Sequence, residues 1–238
     1  MWAEAERRGT RLVVVDPDAI IDEELARFPY LAFRENVALA LAVVALAGAE
    51  DREAALAGMV AAAPDPGVTR LRVVRESGKE ITWANLFAVN DRESTVAVVD
   101  RLVPGLPEGT TTVGILNNRL DRGRRALQFA DIAALDLRFD YLVTFGAYER
   151  CVTARLTELG FPAERVLNLG DERSPSLSAI LDAICDLPGE RIFLAGMVNI
   201  HTHQAELLLE RFEGPLQLED YRHQPAPKPL TLTQLEVA

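Results

Sequence analysis

Five apolar runs rich in β-branched and aromatic residues dominate the second half of the chain: ITWANLFAV, TTTVGILNN, YLVTFGAY, RVLNLG and RIFLAGMVN. Each is followed by a helical pattern, at about residues 92–103, 120–136, 147–159, 174–186 and 202–212. Strands separated by helices of that length do not pair as hairpins. They cross over and lie parallel, in the right-handed sense that such connections take. The sequence therefore predicts one doubly wound, mostly parallel, Rossmann-like α/β domain over residues 79–213.

In such a sheet a ligand sits in the crevice beyond the carboxyl ends of the strands, so polar side chains there are the first binding candidates. Asn90 and Asp91 follow the first run, Asn117, Asn118 and Arg119 lie at the end of the second, and Asn199 and His201 follow the last. Amides, a carboxylate and an arginine suit hydroxyls and anionic groups. Each residue also has a local use, because asparagine and aspartate cap helices and close turns. Arg122, Arg124 and Arg125 fall in the first turns of the following helix, where positive charge opposes the helix dipole. A solvated face and an anion site both account for them. His201 and His203 have no third ligand at metal spacing and read as turn or cap residues. No GxGxxG opens a helix, which argues against a nicotinamide-dependent oxidoreductase.

The first eighty or so residues are different. RLVVVDPDA at 11–19 reads as a strand entering a turn, ENVALALAVVALAG at 35–48 as a buried helix ended by Gly48, and DREAALAGMVAAA at 51–63 as a second helix ended by PDPG. TRLRVVRES then alternates as a half-buried strand before a turn at Ser77-Gly78. These elements are too few for a complete α/β domain and read as the end of something larger. After residue 213 the proline-punctuated QPAPKPLTLTQLEVA predicts an extended or disordered tail over 214–238.

Composition narrows the classes. A formal net charge of -11 disfavours nucleic acid as a partner, since duplex binding needs a basic face. Cys151 and Cys185 have no metal or CxxC spacing and read as reduced core thiols, and MWAEAERRGTR opens the chain without an apolar leader, so a cytoplasmic protein is expected. The apolar run VALALAVVALAG is too short for a membrane span, which takes about 20 residues. Only Lys79 and Lys228 occur, neither in a GxxxxGK[ST] phosphate loop.

Taken in order, FRENVALALAVVALAG, PDPGVTRLRVV, FAVNDRESTVAVVDRL, ILNNRLDRGRRALQFAD and GMVNIHTHQAELLLERF resemble the carboxy-terminal half of the poly-γ-glutamate synthase family known as capsule synthesis protein B, of the Mur ligase superfamily. The resemblance covers roughly residues 10–213. It implies a Mur-ligase-like carboxy-terminal domain at 79–213 preceded, at 1–78, by the end of a central ATPase domain. It also implies ATP-dependent amide ligation, in which a carboxylate becomes an acyl phosphate that the amino group of glutamate attacks.

Residue by residue, the resemblance matches Asn36 to the adenine-side asparagine of the family's HNxxN-type helix. Arg70, with Arg72 as rival, matches a phosphate-contacting arginine, and Asn90-Asp91 the nucleotide-facing edge, where the Asp91 carboxylate takes the ribose hydroxyls. Asn118, Arg119, Arg122, Asn199 and His201 are the candidates for the amino-acid side. The cofactors implied are ATP and Mg, with the phosphate loop, the Mg ligands and the catalytic lysine expected outside this chain. The partners implied are glutamate or poly-γ-glutamate, an amino-terminal half or separate P-loop subunit, and membrane subunits of the capsule synthesis complex through which the chain would associate with the membrane. The chain alone is expected not to ligate. A non-catalytic docking module of that complex is the alternative.

Overall fold

A computed structural model describes residues 2–63, 68–170 and 174–214. Four helices come first, α1 (Trp2–Arg8), α2 (Asp22–Leu25), α3 (Arg34–Leu46) and α4 (Arg52–Ala61), followed by the strands β1 (Leu71–Glu76) and β2 (Lys79–Asn85). Strands and helices then alternate: α5 (Arg92–Leu102), β3 (Thr111–Asn118), α6 (Gly123–Leu135), β4 (Tyr141–Gly146), α7 (Glu149–Glu158), β5 (Val166–Asn168), α8 (Leu177–Cys185), β6 (Arg191–Met197) and α9 (His203–Glu213).

The six strands form one sheet in the order β1-β2-β6-β3-β4-β5. All neighbours are parallel except β1 and β2, an antiparallel hairpin whose turn residues Ser77 and Gly78 both have positive φ, 48° and 83°. That left-handed pair matches the twist of the flanking strands. Leu71 pairs with Ala84, so β1 begins at the carboxyl end of β2. β1 lies on the amino-terminal side of residue 78 and is nevertheless a member of the sheet.

Alternate side chains of the buried strands feed two cores, one on each face. α5, α6 and α7 cover one face through Val98, Phe129 and Val152, packed on Leu116, Leu142 and Phe193. α8 and α9 cover the other through Ile180, Ile184, Leu208 and Phe212, packed on Ile81, Ile115 and Leu194. Trp83 stacks on Phe212 with ring centroids 4.8 Å apart and donates its indole N–H to Glu213 at 3.0 Å. Gly196 on β6 lies against that stack; a Cβ there would come within 2.6 Å of Phe87. A small third core of seven buried residues, including Ile20, Phe28, Val37 and Leu56, holds α2, α3 and α4 together. Leu31 N–H donates to Thr69 O at 2.9 Å, tying this unit to the start of the hairpin.

Three expectations are corrected. The run at 11–19 forms no strand: residues 11–16 are unassigned backbone, followed by a 3-10 turn at Pro17–Ala19. The strand signature is present, but no other strand of the described residues reaches it. The helix at 35–48 forms as α3, yet only Val37 and Ala38 are buried, because the third core covers one side of it alone. Cys151 is not a core thiol but exposed on α7, and Cys185 is half-buried. The turn at PDPG and the tail from residue 215 lie outside the described residues.

Candidate functional site

The carboxyl edge of the sheet is built in two parts. β6 leads into α9, which packs back over the hairpin: Arg211 on α9 pairs with Glu76 on β1. β3 leads into α6, on the opposite face and toward β4. Adjacent strands whose chains depart in opposite directions open a crevice between them, the usual ligand site of such sheets. Here that crevice lies between β6 and β3.

Polar side chains fill its floor. Asn117 donates through Nδ2 to Asn199 O at 3.0 Å and to Thr202 Oγ1 at 2.6 Å, while Asn199 Nδ2 donates to Asn117 O at 2.9 Å. Thr202 in turn caps α9, its Oγ1 accepting from Ala205 N–H at 3.0 Å. Both asparagines are buried, so these bonds replace the water their amides would otherwise need. Asn199 is thus committed to closing the floor. Asn118 donates to Leu116 O, Thr144 Oγ1 and Phe145 O at 3.1 to 3.3 Å, and its buried Oδ1 has no hydrogen-bond partner among the described residues.

Around the β3 side lie the arginines. Residues 119–125 read RLDRGRR, four arginines against one carboxylate, in a chain whose net charge is -11. Arg119 holds Asp121 in a two-point grip at 2.9 and 2.8 Å and lowers its carboxyl below the ordinary aspartate value. Arg122 is exposed and stands 3.8 Å from the same carboxylate. Arg125 is half-buried and reaches Val198 O, at 3.4 Å, with no carboxylate paired to it among the described residues. Burial first, then repulsion from Arg122 and Arg119, pulls its pKa below that of a free guanidinium. The carbonyl it touches belongs to a strained residue, since buried Val198 has φ 85°.

The walls are set by two close approaches that sequence reading missed. Gly146 ends β4 with φ 91°, and a Cβ there would run into the Asn118 carbonyl. Tyr148, also left-handed at φ 63°, donates its hydroxyl to Leu120 O at 2.8 Å and lays its ring on Gly123, whose Cβ would come 3.1 Å from Cζ. The signal was present as glycine directly after an apolar run in TFGAY, and as glycine at the opening of a helical pattern in LDRGRRAL.

On the hairpin side, Asn90 and Asp91 are exposed beyond β2. Asp91 caps α5: Oδ1 accepts from Ser94 N–H at 2.8 Å, and its backbone carbonyl accepts from Thr95 Oγ1 at 2.6 Å. The Ser94 bonds hold its carboxyl below the ordinary value. Arg70 is half-buried directly before β1, and because β1 runs backwards it shares this end of the sheet with Asp91. Asn36, exposed on the first turn of α3, belongs to the helical unit around the third core and not to the strand ends. His201 and His203 are exposed on either side of the capping Thr202. The fold therefore separates the candidates, with Arg70, Asn90 and Asp91 beside β1 and β2 and the amides and arginines across β6.

Comparison with known proteins gives this geometry a context. Residues 70–215 match the family model for the poly-gamma-glutamate synthase CapB C-terminal domain. The capsule biosynthesis protein CapB of Bacillus anthracis is 32% identical over 197 residues, which are 83% of this chain and 41% of that protein. The PGA synthase CapB of Bacillus subtilis (strain 168) is 31% identical over 208 residues, 87% of this chain and 51% of that protein. The chain spans about half the length of these curated relatives. The murein peptide ligase Mpl of Psychrobacter arcticus 273-4 superimposes with a TM-score of 0.51 at 16% identity, over 79% of this chain and 38% of that one. MurF of Acinetobacter baumannii does so with 0.51 at 15%, over 76% and 36%. The likeness to these two ligases is one of fold.

Proposed function

The chain belongs to the poly-gamma-glutamate synthase CapB C-terminal domain family, and on that footing we propose that it is the carboxy-terminal part of an ATP-dependent ligase that forms γ-glutamyl amide bonds. The observation that carries the reading is the division of the carboxyl edge: a carboxylate, Asp91, on one side of β6 and a cluster of four arginines with a single carboxylate on the other. A nucleotide and an acidic amino acid need those opposite chemistries.

The donor set suits the sugar of a nucleotide. Asp91 is exposed while its Oδ1 accepts from Ser94, and a carboxylate accepts from neighbouring hydroxyls. Arg70 stands at the same edge for a phosphate. Among the described residues no three His, Cys, Asp or Glu side chains gather to hold a metal ion. Mg is assigned to the remainder of the enzyme. ATP, when bound, supplies the phosphoryl group that activates a carboxylate for attack by an amine.

The work of this chain is positioning. Arg122 and Arg125, with Arg119 held by Asp121, present guanidinium groups that pair a carboxylate at two points. The burial of Arg125 strengthens that pairing, because water screens it less. Asn117, Asn199 and Thr202 keep the floor rigid beneath it. Holding the acceptor in place removes entropy from the encounter with the activated carboxylate.

Titration of the chain with a γ-glutamyl oligomer, followed by amide NMR, tests the reading. Shifts confined to the β3–α6 turn, abolished in Arg125→Gln and absent with a neutral oligomer whose α-carboxylates are converted to carboxamides, are expected. Equal shifts with the neutral oligomer would overturn the assignment.

A further inference from the structure

Tyr148 holds a backbone conformation that its residue type does not favour. Its φ is 63°, a left-handed value that is costly for a residue with a bulky side chain and that glycine or asparagine takes more freely. The side chain does no local work in exchange, because Tyr148 is the N-cap residue of α7 and makes no capping hydrogen bond there. Nor does burial compel its hydroxyl to find a protein partner, since the residue is 37% exposed and water could serve. The contacts it makes cross instead to the turn between β3 and α6, where the hydroxyl donates to Leu120 O at 2.8 Å and the ring lies on Gly123. The neighbouring Ala147 N–H donates to Asn118 O at 3.1 Å and ties the two strand ends together below that contact.

The β3–α6 turn gains from such outside support. α6 opens with no acidic residue in its first turn, and its N-cap, Arg122, makes no side-chain capping bond. Arg122, Arg124 and Arg125 stand at a helix start with Arg119 just before them, so the helix dipole and their mutual repulsion both favour spreading them apart. That repulsion is felt at Arg125, whose pKa is lowered by burial first and then by Arg122 and Arg119. Asp121 offsets part of it through its grip with Arg119.

We propose that Tyr148 is a positioning residue for the acceptor side: by holding Leu120 and Gly123 it keeps the arginine turn in the conformation that pairs carboxylates. The proposal rests on the assignment of these arginines to a γ-glutamyl acceptor made above. Tyr148 acts through the turn and not by touching the acceptor. A turn already held in its binding conformation loses less freedom when the carboxylates arrive, so the brace raises affinity without adding a contact. A tyrosine is kept at a left-handed position because its side chain, and not its backbone, serves the site.

Two variants of the whole chain test it. Tyr148→Phe keeps the ring and removes the hydroxyl, while Tyr148→Asn removes both and suits the left-handed backbone. The probe is the Arg122 amide, whose N–H donates to Arg119 O at 3.1 Å within the turn. Without ligand, its hydrogen exchange should quicken about threefold to tenfold in Tyr148→Phe, as loss of one net hydrogen bond gives, and further in Tyr148→Asn. The Asp136 amide, bonded to Ile132 O at 2.9 Å at the far end of α6, should keep its rate, which a general loss of stability would not spare. Affinity for a γ-glutamyl oligomer, read by the same NMR titration, should fall in the same order. Unchanged Arg122 exchange in both variants, equal quickening at Asp136, or an oligomer affinity that neither variant alters would each overturn the proposal. A wild-type chain that binds no oligomer, beside Arg122 exchange that responds as expected, would count against the acceptor reading and leave the brace on the turn standing.

Discussion

Asn117 and Asn199 exchange hydrogen bonds across the mouth of the β3–β6 crevice, each carboxamide donating to the other's backbone carbonyl at 3.0 and 2.9 Å. The pair spans the point where the chain leaves the sheet in opposite directions. Both buried side chains are thereby committed to each other, and Asn117 also donates to the Thr202 hydroxyl that caps α9.

Breaking this tie costs stability. Asn199→Ala leaves the Asn117 carbonyl without its side-chain donor in a buried place, and an unsatisfied buried polar group costs about 1–3 kcal/mol. Urea unfolding of the variant should show that loss. An unchanged midpoint would mean that the crevice floor relaxes freely.

Gly146→Ala strikes the same crevice from β4. Its φ of 91° is costly for any residue with a Cβ, and the added carbon meets the Asn118 carbonyl. A loss of about 2 kcal/mol or more is expected from the backbone conformation and the clash together. Denaturant unfolding checks it, and a fully stable variant would contradict the close approach.

Asp91 separates capping from ligand binding. Its depressed pKa arises from the Ser94 hydrogen bonds, so its contribution to stability is present above the ordinary value of 3.8 and is lost as pH falls through the lower folded value. Asparagine caps as well as aspartate, whereas Asp91→Ala should cost about 0.5–2 kcal/mol at neutral pH. The stability gap between wild type and Asp91→Asn should shift as pH falls from about 5 to 3, following linkage. A gap constant over that range would remove the carboxylate from the cap.

The strand–helix rhythm from residue 81 onward was legible because long apolar runs and intervening helical patterns report directly on a buried parallel sheet. The polar residues at the strand ends were legible as a group. Their separate surroundings were not: nothing in the sequence distinguishes Asn117 and Asn199, buried and bonded to each other, from exposed Arg122 or from Arg125, half-buried against the Val198 carbonyl. The failures share a different cause. Arg11–Val15 has the composition of a strand, and α3 has that of a buried helix, but pairing and burial depend on a neighbouring surface that local pattern does not encode. Cys151 fails for a simpler reason, since α7 turns that position outward.

Salt dependence offers a further check on the arginines. The proposed charge pairing between these arginines and a γ-glutamyl chain would be screened as ionic strength rises, with a screening length of about 10 Å at 0.1 M salt. Affinity for the oligomer should fall with added salt, and less steeply in Arg122→Ser than in wild type. Identical salt slopes in the two proteins would remove Arg122 from the site.

The most direct test of the central claim replaces the matched stretch of the Bacillus subtilis relative with residues 10–213 of this chain and measures ATP-dependent γ-glutamyl bond formation. An active chimera is expected, in which Asp91→Ala raises the apparent KM for ATP and leaves that for glutamate, while Arg125→Gln does the reverse. A chimera that folds but forms no bond, or one in which both substitutions act on the same substrate, would contradict the division of the sheet edge into a nucleotide side and an acceptor side.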